Sequence, residues 1–280
     1  MNNILNNDAA GFEESILVNG KKVEISKDTD GGIFGLVRTS SFTGNELITK
    51  NKYNNKLLVN GRVYFCEKSI NTRSNFKPAS IDQDLGVSGV LTLNNANLAQ
   101  EDIIGIMVGI GGTTAVYGTV NDVEVHKKTV PTPVPFRIVP LASDLTGEER
   151  AKYFLRVVDG ANVKYFGKRF ESRSTKVLYE NGTEVPLNVD TLPTPETIRT
   201  FNEYLAVVGQ KDIREYFLSI YGDTALCQIN TVGLLTGYPE NVGGNIEYRN
   251  VRCITTANMA QNPLKDELSI INFNYELLIR

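Results

Sequence analysis

The sequence predicts a mainly β fold, an antiparallel sandwich or barrel-like arrangement with a few helices concentrated around residues 195–221; α+β is the second choice. Two observations carry this. Three Asn-Gly pairs stand between β-prone runs, and the C-terminal tail alternates apolar and polar residues with a period of two. A two-residue type I′ turn needs positive φ at both central positions, and Asn-Gly tolerates it. Three hairpins follow: Ser15 to Val18 turning at Asn19-Gly20 into Lys22 to Ser26, Lys56 to Val59 turning at Asn60-Gly61 into Arg62 to Glu67, and Lys176 to Glu180 turning at Asn181-Gly182 into Thr183 to Leu187.

Further strands are expected at Val87 to Leu93, Ile103 to Ile110, Asp122 to His126, Phe136 to Val139, Tyr153 to Val158, Val163 to Phe170 and Ala225 to Leu235. In the tail, Ile271, Phe273, Tyr275, Leu277 and Ile279 share one face, so it reads as a strand buried on one side. Thr194-Pro195-Glu196 fits a helix start, and Ile198, Phe201, Leu205 and Val208 recur at helical spacing after it. A second helical stretch runs from Asp212 to Tyr221 beyond the Gly209 break. A shorter turn begins at Thr146, where Thr-x-x-Glu reaches Glu149.

In Pro131-Thr132-Pro133-Val134-Pro135 each proline lacks the backbone donor and fixes φ, so the segment runs as an extended connector. It divides the chain into a β-rich N-terminal domain, residues 1–130, with a flexible Asn-rich arm, and a β-rich C-terminal domain, residues 131–280, with a short helical insertion. A single sandwich crossed by the proline segment reads the same way. No repeat of solenoid or propeller length is present.

The net charge of −3 and pI near 5.4 give no overall basic field for gripping nucleic acid. No uninterrupted apolar run approaches a membrane span, and the N-terminal residues lack a secretory pattern, so a protein made in the cytoplasm is expected. Cys66, Cys227 and Cys253 are far apart and read as buried small hydrophobes.

Catalytic and metal-binding motifs are missing. The single histidine, His126, lies beside Lys127 and Lys128 with no nucleophile elbow elsewhere in the chain. Asp28, Asp30, Asp82 and Asp84 do not follow a calcium-loop pattern, and Asp82-Gln83-Asp84 reads as a polar turn. The run Val108-Gly109-Ile110-Gly111-Gly112-Thr113-Thr114 lacks the third glycine, the lysine and the following helix of phosphate loops, and reads as a turn between strands. Lys164, Lys168, Arg169, Arg173 and Lys176, interleaved with Tyr165, Phe166 and Phe170, read as a solvated edge strand, with contact to nucleic acid or an acidic neighbour as the alternative. A hydrolase reading would use paired carboxylates, for example Glu148 with Glu149 or Asp212 with Glu215, but acids at such spacing are usually solvated. No cofactor, catalytic or metal-binding residue is assigned.

From Pro135 onward the sequence resembles a group of virion structural proteins from the head and head-to-tail region of tailed bacteriophages. The residues that carry the resemblance are Pro135-Phe136-Arg137, Asp144-Leu145-Thr146 with Arg150 and Tyr153-Phe154, Tyr165-Phe166 with Phe170-Glu171, Ile229-Asn230 with Gly233-Leu234, and Leu268-Ser269-Ile270 leading to Tyr275; the upstream stretch from Gly105 to Gly112 is similar too. The resemblance implies a non-enzymatic subunit of a neck, collar, capsid or head-to-tail connector ring. Its partners would be copies of itself and portal, capsid, tail or collar proteins, with no membrane. It implies Phe136, Arg137, Arg150, Tyr153, Tyr165 and Phe166 as interface residues. Two other functions stand beside it: an outer decoration or carbohydrate-binding accessory, which the absence of Trp disfavours, and a virion-borne hydrolase.

Overall fold

The computed structural model describes residues 15–18, 21–24, 36–54, 56–73, 95–111, 113–120, 123–128, 131–188 and 190–278. The first five strands are β1 (Ser15–Val18), β2 (Lys21–Glu24), β3 (Leu36–Thr43), β4 (Glu46–Asn54) and β5 (Lys56–Leu57), followed by helix α1 (Val59–Ile70). Next come β6 (Asp102–Ile110), β7 (Thr113–Val120), β8 (Val123–Lys128), β9 (Thr132–Val134) and β10 (Arg137–Pro140), then helix α2 (Gly147–Lys152). Strands β11 (Tyr153–Asp159), β12 (Asn162–Arg169), β13 (Ser172–Tyr179), β14 (Glu184–Pro186) and β15 (Thr197–Gly209) lead to helix α3 (Gln210–Tyr221). The chain closes with β16 (Gln228–Val242), β17 (Asn245–Pro263) and β18 (Ser269–Leu278).

Fourteen of these strands make two large antiparallel sheets, and β1 with β2 and β7 with β8 make two-stranded ones, so the fold is mainly β. One has eight strands in the order β10-β12-β6-β16-β17-β5, with β11 added to β12 and β9 to β6; the other has six, β14-β13-β15-β18-β3-β4. One apolar cluster fills the space between them. It takes Val37, Tyr204, Phe273 and Tyr275 from the six-stranded sheet and Ile106, Tyr165, Val232 and Ile254 from the eight-stranded sheet. Met107, Phe154, Phe166, Leu235, Val251 and Cys253 form a second cluster. Strand β6 feeds both, because successive residues point to opposite faces: Ile106 and Val108 go to the first and Met107 to the second. Both large sheets take strands from either side of residue 130.

The tail behaves as its alternation requires, with Ile271, Phe273, Tyr275 and Leu277 of β18 buried between β3 and β15. The first and third Asn-Gly pairs link antiparallel strands, β1 with β2 and β13 with β14. The glycine-rich run joins β6 to β7, with Gly111 at φ +77°. The proline segment is extended, as β9 beside β6, with Pro133 opposite Gly109.

Three expectations are corrected. Asn60-Gly61 is not a turn but lies in α1. Gly61 is placed where the helix crosses β17 so closely that a Cβ would overlap the Ile254 carbonyl oxygen. This close backbone approach decides the local structure against the turn propensity. The helix expected after Thr194 is instead β15, a central strand paired with both β13 and β18. Tyr204, Ala206 and Val208 alternate inward, while Ile198 is exposed, so the helical set of apolar residues does not share one face. Helix in the 195–221 region is confined to α3. Its entry is capped by Asp212, whose Oδ2 accepts the Gly209 N–H at 2.8 Å, and Gly222 closes it at φ +68°. Finally, Cys66 is exposed on α1, whereas Cys227 and Cys253 are buried.

Helix α2 starts after Thr146 as expected, without a side-chain cap bond. The strand at Val87 to Leu93, the turn at Asp82-Gln83-Asp84 and the N-terminal arm lie outside the described residues.

Gly105 of β6 tests how tightly β6 and β12 meet within the eight-stranded sheet. A Cβ there would overlap the Lys168 carbonyl oxygen of β12, where the two strands meet at Lys168↔Ile106 and Arg169↔Gly105. Gly105→Ala is expected to cost about 3 kcal/mol, the upper part of the range for overpacking. Urea unfolding should show a lower midpoint with an unchanged slope; a midpoint equal to the wild type would mean the strands separate freely here.

Candidate assembly surface

The six residues put forward as an interface lie mainly inside the molecule. Phe136 and Tyr165 are fully buried, and Tyr153, Phe166 and Arg150 are buried; only Arg137 is partly exposed. Their contacts are internal. Phe136 N–H donates to the Tyr165 carbonyl at 2.7 Å, the Arg137 guanidinium lies 4.9 Å from the centre of the Tyr153 ring, and Phe166 sits in the second apolar cluster. Arg150 donates to the Tyr165 hydroxyl and, at 3.2 Å, to Glu247, bracing the β16–β17 hairpin against α2. The Tyr165 hydroxyl donates to Asp144 at 2.5 Å; burial, then this bond, push its pKa up to about 12. Phe136, Arg150, Tyr153, Tyr165 and Phe166 therefore serve core packing within the subunit.

The buried titratable groups form two further networks. In the first, the Tyr153 hydroxyl donates to Asp212 Oδ1 at 2.7 Å, while Asp212 Oδ2 accepts Lys168 Nζ at 3.0 Å and the Gly209 N–H. Lys168 also donates to the Val207 carbonyl and lies 3.6 Å from Glu171. Burial alone would raise the Asp212 pKa, but Lys168 and the converging hydrogen bonds outweigh it and hold the carboxyl below its ordinary value. Both Asp212 oxygens and the Lys168 ammonium are thus committed to protein partners.

The second network is a closed ring of alternating charge. Glu67 Oε2 accepts from Arg73 at 2.9 Å and from Arg252 at 3.0 Å; Glu101 accepts from Arg252 at 2.7 Å and from Arg73. Asn250 Nδ2 adds a bond to Glu101 at 2.7 Å, and the Arg252 guanidinium lies over the Tyr64 ring. All four charged side chains are at most 5% exposed.

The basic stretch is likewise divided among partners. Lys164 pairs with Asp159 at 2.6 Å, Lys176 with Glu203 at 2.7 Å and Arg173 with Asp102, while Lys168 is buried with Asp212. These side chains do not combine into a free cationic strip. Of the carboxylate pairs, Asp212 is locked inside and Glu148 and Glu149 are exposed in the first turn of α2. The backbone of His126 pairs with Ala115 in β8. Among the described residues no group of three His, Cys, Asp or Glu is placed to hold a metal ion.

Exposed large hydrophobic residues are concentrated at one end of the sandwich. There the six-stranded sheet ends at Gly209↔Ile270 and Ser269↔Thr43, beside α3. Gly44 N–H donates to the Leu268 carbonyl at 3.1 Å, and Arg214 of α3 pairs with Glu267 at 2.9 Å. Gln210 Nε2 donates to the Leu264 carbonyl at 3.2 Å, and Leu264 N–H to the Cys227 carbonyl at 2.8 Å. The β3–β4 turn, the loop 264–268, α3 and the segment after it are therefore joined. They carry Leu47, Ile48, Leu218, Ile220, Tyr221, Leu226 and Leu268, half of the exposed large hydrophobic residues among those described. Concentrated apolar exposure of this kind marks association surfaces.

The sequence sets Ile213, Phe217 and Ile220 on one side of α3, which hides this end: Ile213 and Phe217 are buried, but Ile220 is exposed. Leu218 and Tyr221 of α3 are exposed as well, and Leu47 and Ile48 lie in the wholly exposed stretch 44–51 of the edge strand β4 and its turn. No family model, curated protein or solved structure matches the chain.

Asp212→Asn tests whether the buried acid supports folding. At pH 7 the change removes the nearest carboxylate of buried Lys168, leaving Glu171 at 3.6 Å, and is expected to cost about 3 kcal/mol. A carboxyl whose folded pKa lies below 3.8 contributes stability above that pH and loses it as pH falls through the folded value. The gap between the variant and the wild type in urea unfolding should therefore be large at pH 7 and shrink below pH about 4; a gap independent of pH would contradict the assignment.

Proposed function

We propose that the chain is a structural subunit of a tailed-phage virion, a ring-forming component of the neck, collar or head-to-tail connector that acts by assembly and not by catalysis. The sequence resemblance supports the virion class. The apolar end surface is the observation that supports assembly as the mode of action: it offers α3, the β3–β4 turn and the 264–268 loop as one joined platform. The commitment of Lys168, Asp212 and the four-charge ring to internal partners supports the same reading, since a general acid or base must reach substrate. The intended partners are copies of the chain and neighbouring virion proteins.

The experiment is the mass of the purified chain by light scattering over a range of concentrations, with and without the other components of the particle. A discrete oligomer, or one formed on meeting a partner, is expected. The paired change Leu218→Lys and Leu268→Lys should reduce it to monomer while leaving the unfolding midpoint close to the wild type, because both residues are exposed. A chain that stays monomeric under every condition, or an oligomer indifferent to both changes, would contradict assembly through this end.

A further inference from the structure

Strand β15 runs thirteen residues from Thr197 to Gly209, roughly 40 Å at the rise of an extended chain. Its Gly209 end lies opposite Ile270 and leads into α3, at the apolar end, while its Thr197 end lies opposite Tyr179 of β13. The far end is built from the turn after β13 and the segment between β14 and β15. Glu180 N–H donates to the Glu196 carbonyl at 2.9 Å, Leu187 N–H to the Thr175 carbonyl at 2.8 Å and Thr194 N–H to the Thr197 hydroxyl at 2.9 Å. These bonds tie the two segments to each other and to the sheet.

This far end has its own surface character. Leu192 and Ile198 are 59% and 58% exposed on it. From Val177 to Ile198 the sequence holds Glu180, Glu184, Asp190 and Glu196 and neither lysine nor arginine. All four acids are exposed, and none is in an ion pair among the described residues. The apolar end supplies the opposite charge. Lys50, Lys211 and Lys265 are exposed there, again without an ion pair among the described residues. Of the acids at that end, Glu267 is paired with Arg214, Asp266 accepts the Leu268 N–H at 2.9 Å and Asp223 accepts the Ala225 N–H at 2.9 Å, which leaves Glu46 and Glu215.

We infer that the far end is the counter-surface for the apolar end: Leu192 and Ile198 of one copy seat against α3 and the 264–268 loop of a second copy, whose Lys211 and Lys265 lie among the four carboxylates. The inference rests on the reading that the apolar end assembles, and it names the surface which that end binds. The two ends lie at opposite ends of β15, so a subunit cannot join them to each other and a neighbour must. Apolar contact supplies the driving force, and opposite charges around it select the partner and its orientation. Pairing of two far ends is disfavoured, because it would bring four carboxylates against four. Contact between unlike ends is head-to-tail, and repeated head-to-tail contact generates a ring where the rotation closes.

Complementation between full-length variants tests this by light scattering. The wild-type chain should self-associate as its concentration rises. Leu192→Ser with Ile198→Ser should weaken that association roughly tenfold or more, the order expected for losing anchors at the centre of a contact, as should Leu218→Lys with Leu268→Lys. Where each of these two chains alone is monomeric, their equimolar mixture should form a one-to-one dimer, because each supplies the end that the other has lost. Glu184→Lys with Asp190→Lys gives a second far-end variant with the same expected behaviour, used if Leu192→Ser with Ile198→Ser lowers the unfolding midpoint. Far-end variants that associate like the wild type, or a mixture that stays monomeric, would overturn the inference while the loss of association in the Leu218→Lys and Leu268→Lys chain still upheld the apolar end. A wild-type chain that assembles only with other particle components would likewise overturn it and leave that end intact. Association indifferent to Leu218→Lys with Leu268→Lys would instead contradict the underlying reading, and this inference with it.

Discussion

The structure depends on burying one sheet on both faces. Strand β6 sends Ile106 and Val108 into the layer between the sheets and Met107 into the second cluster, so no face of this strand is left for solvent. Everything else is arranged around that requirement: β16 and β12 flank it, the six-stranded sheet closes the main layer, and Gly105 permits the close approach of β12. Strands on both sides of the proline segment contribute, and the segment itself joins β6 as β9.

Charges inside such a fold must find partners, because an isolated buried charge costs several kcal/mol or more. The chain solves this locally. Lys168 projects from a strand of the eight-stranded sheet and meets Asp212 at the start of α3, with Tyr153 and the Gly209 N–H completing the set. The ring of two arginines and two glutamates joins α1, the approach to β6 and β17. The buried charges of these two networks fix the relative positions of secondary-structure elements.

Much of the fold was legible in the sequence, for identifiable reasons. The period-two tail announced β18, and two Asn-Gly pairs announced their hairpins, because turn chemistry and alternation agree in those stretches. The failures occur where a distant contact overrides local preference. Asn60-Gly61 has turn chemistry, yet Gly61 serves a helix crossing; the inward positions of α1 are Asn60, Tyr64 and Glu67, which an apolar periodicity cannot reveal. In β15 the apolar residues satisfy a helical spacing, but pairing with β13 and β18 requires an extended chain. Five of the six proposed interface residues are buried within the subunit, Arg137 being partly exposed, for a related reason: Phe, Tyr and Arg serve an interior as well as an interface. The apolar end could not be read at all, since it is assembled from segments near residues 45, 220 and 268 that only the fold brings together.

The central claim is that the subunit acts through its apolar end. Hydrogen exchange compared between the isolated chain and its assembled form tests this most directly. The account predicts new protection across residues 43–48, 210–226 and 264–268 on assembly. Protection gained elsewhere with these segments unchanged, or none gained on assembly, would contradict it.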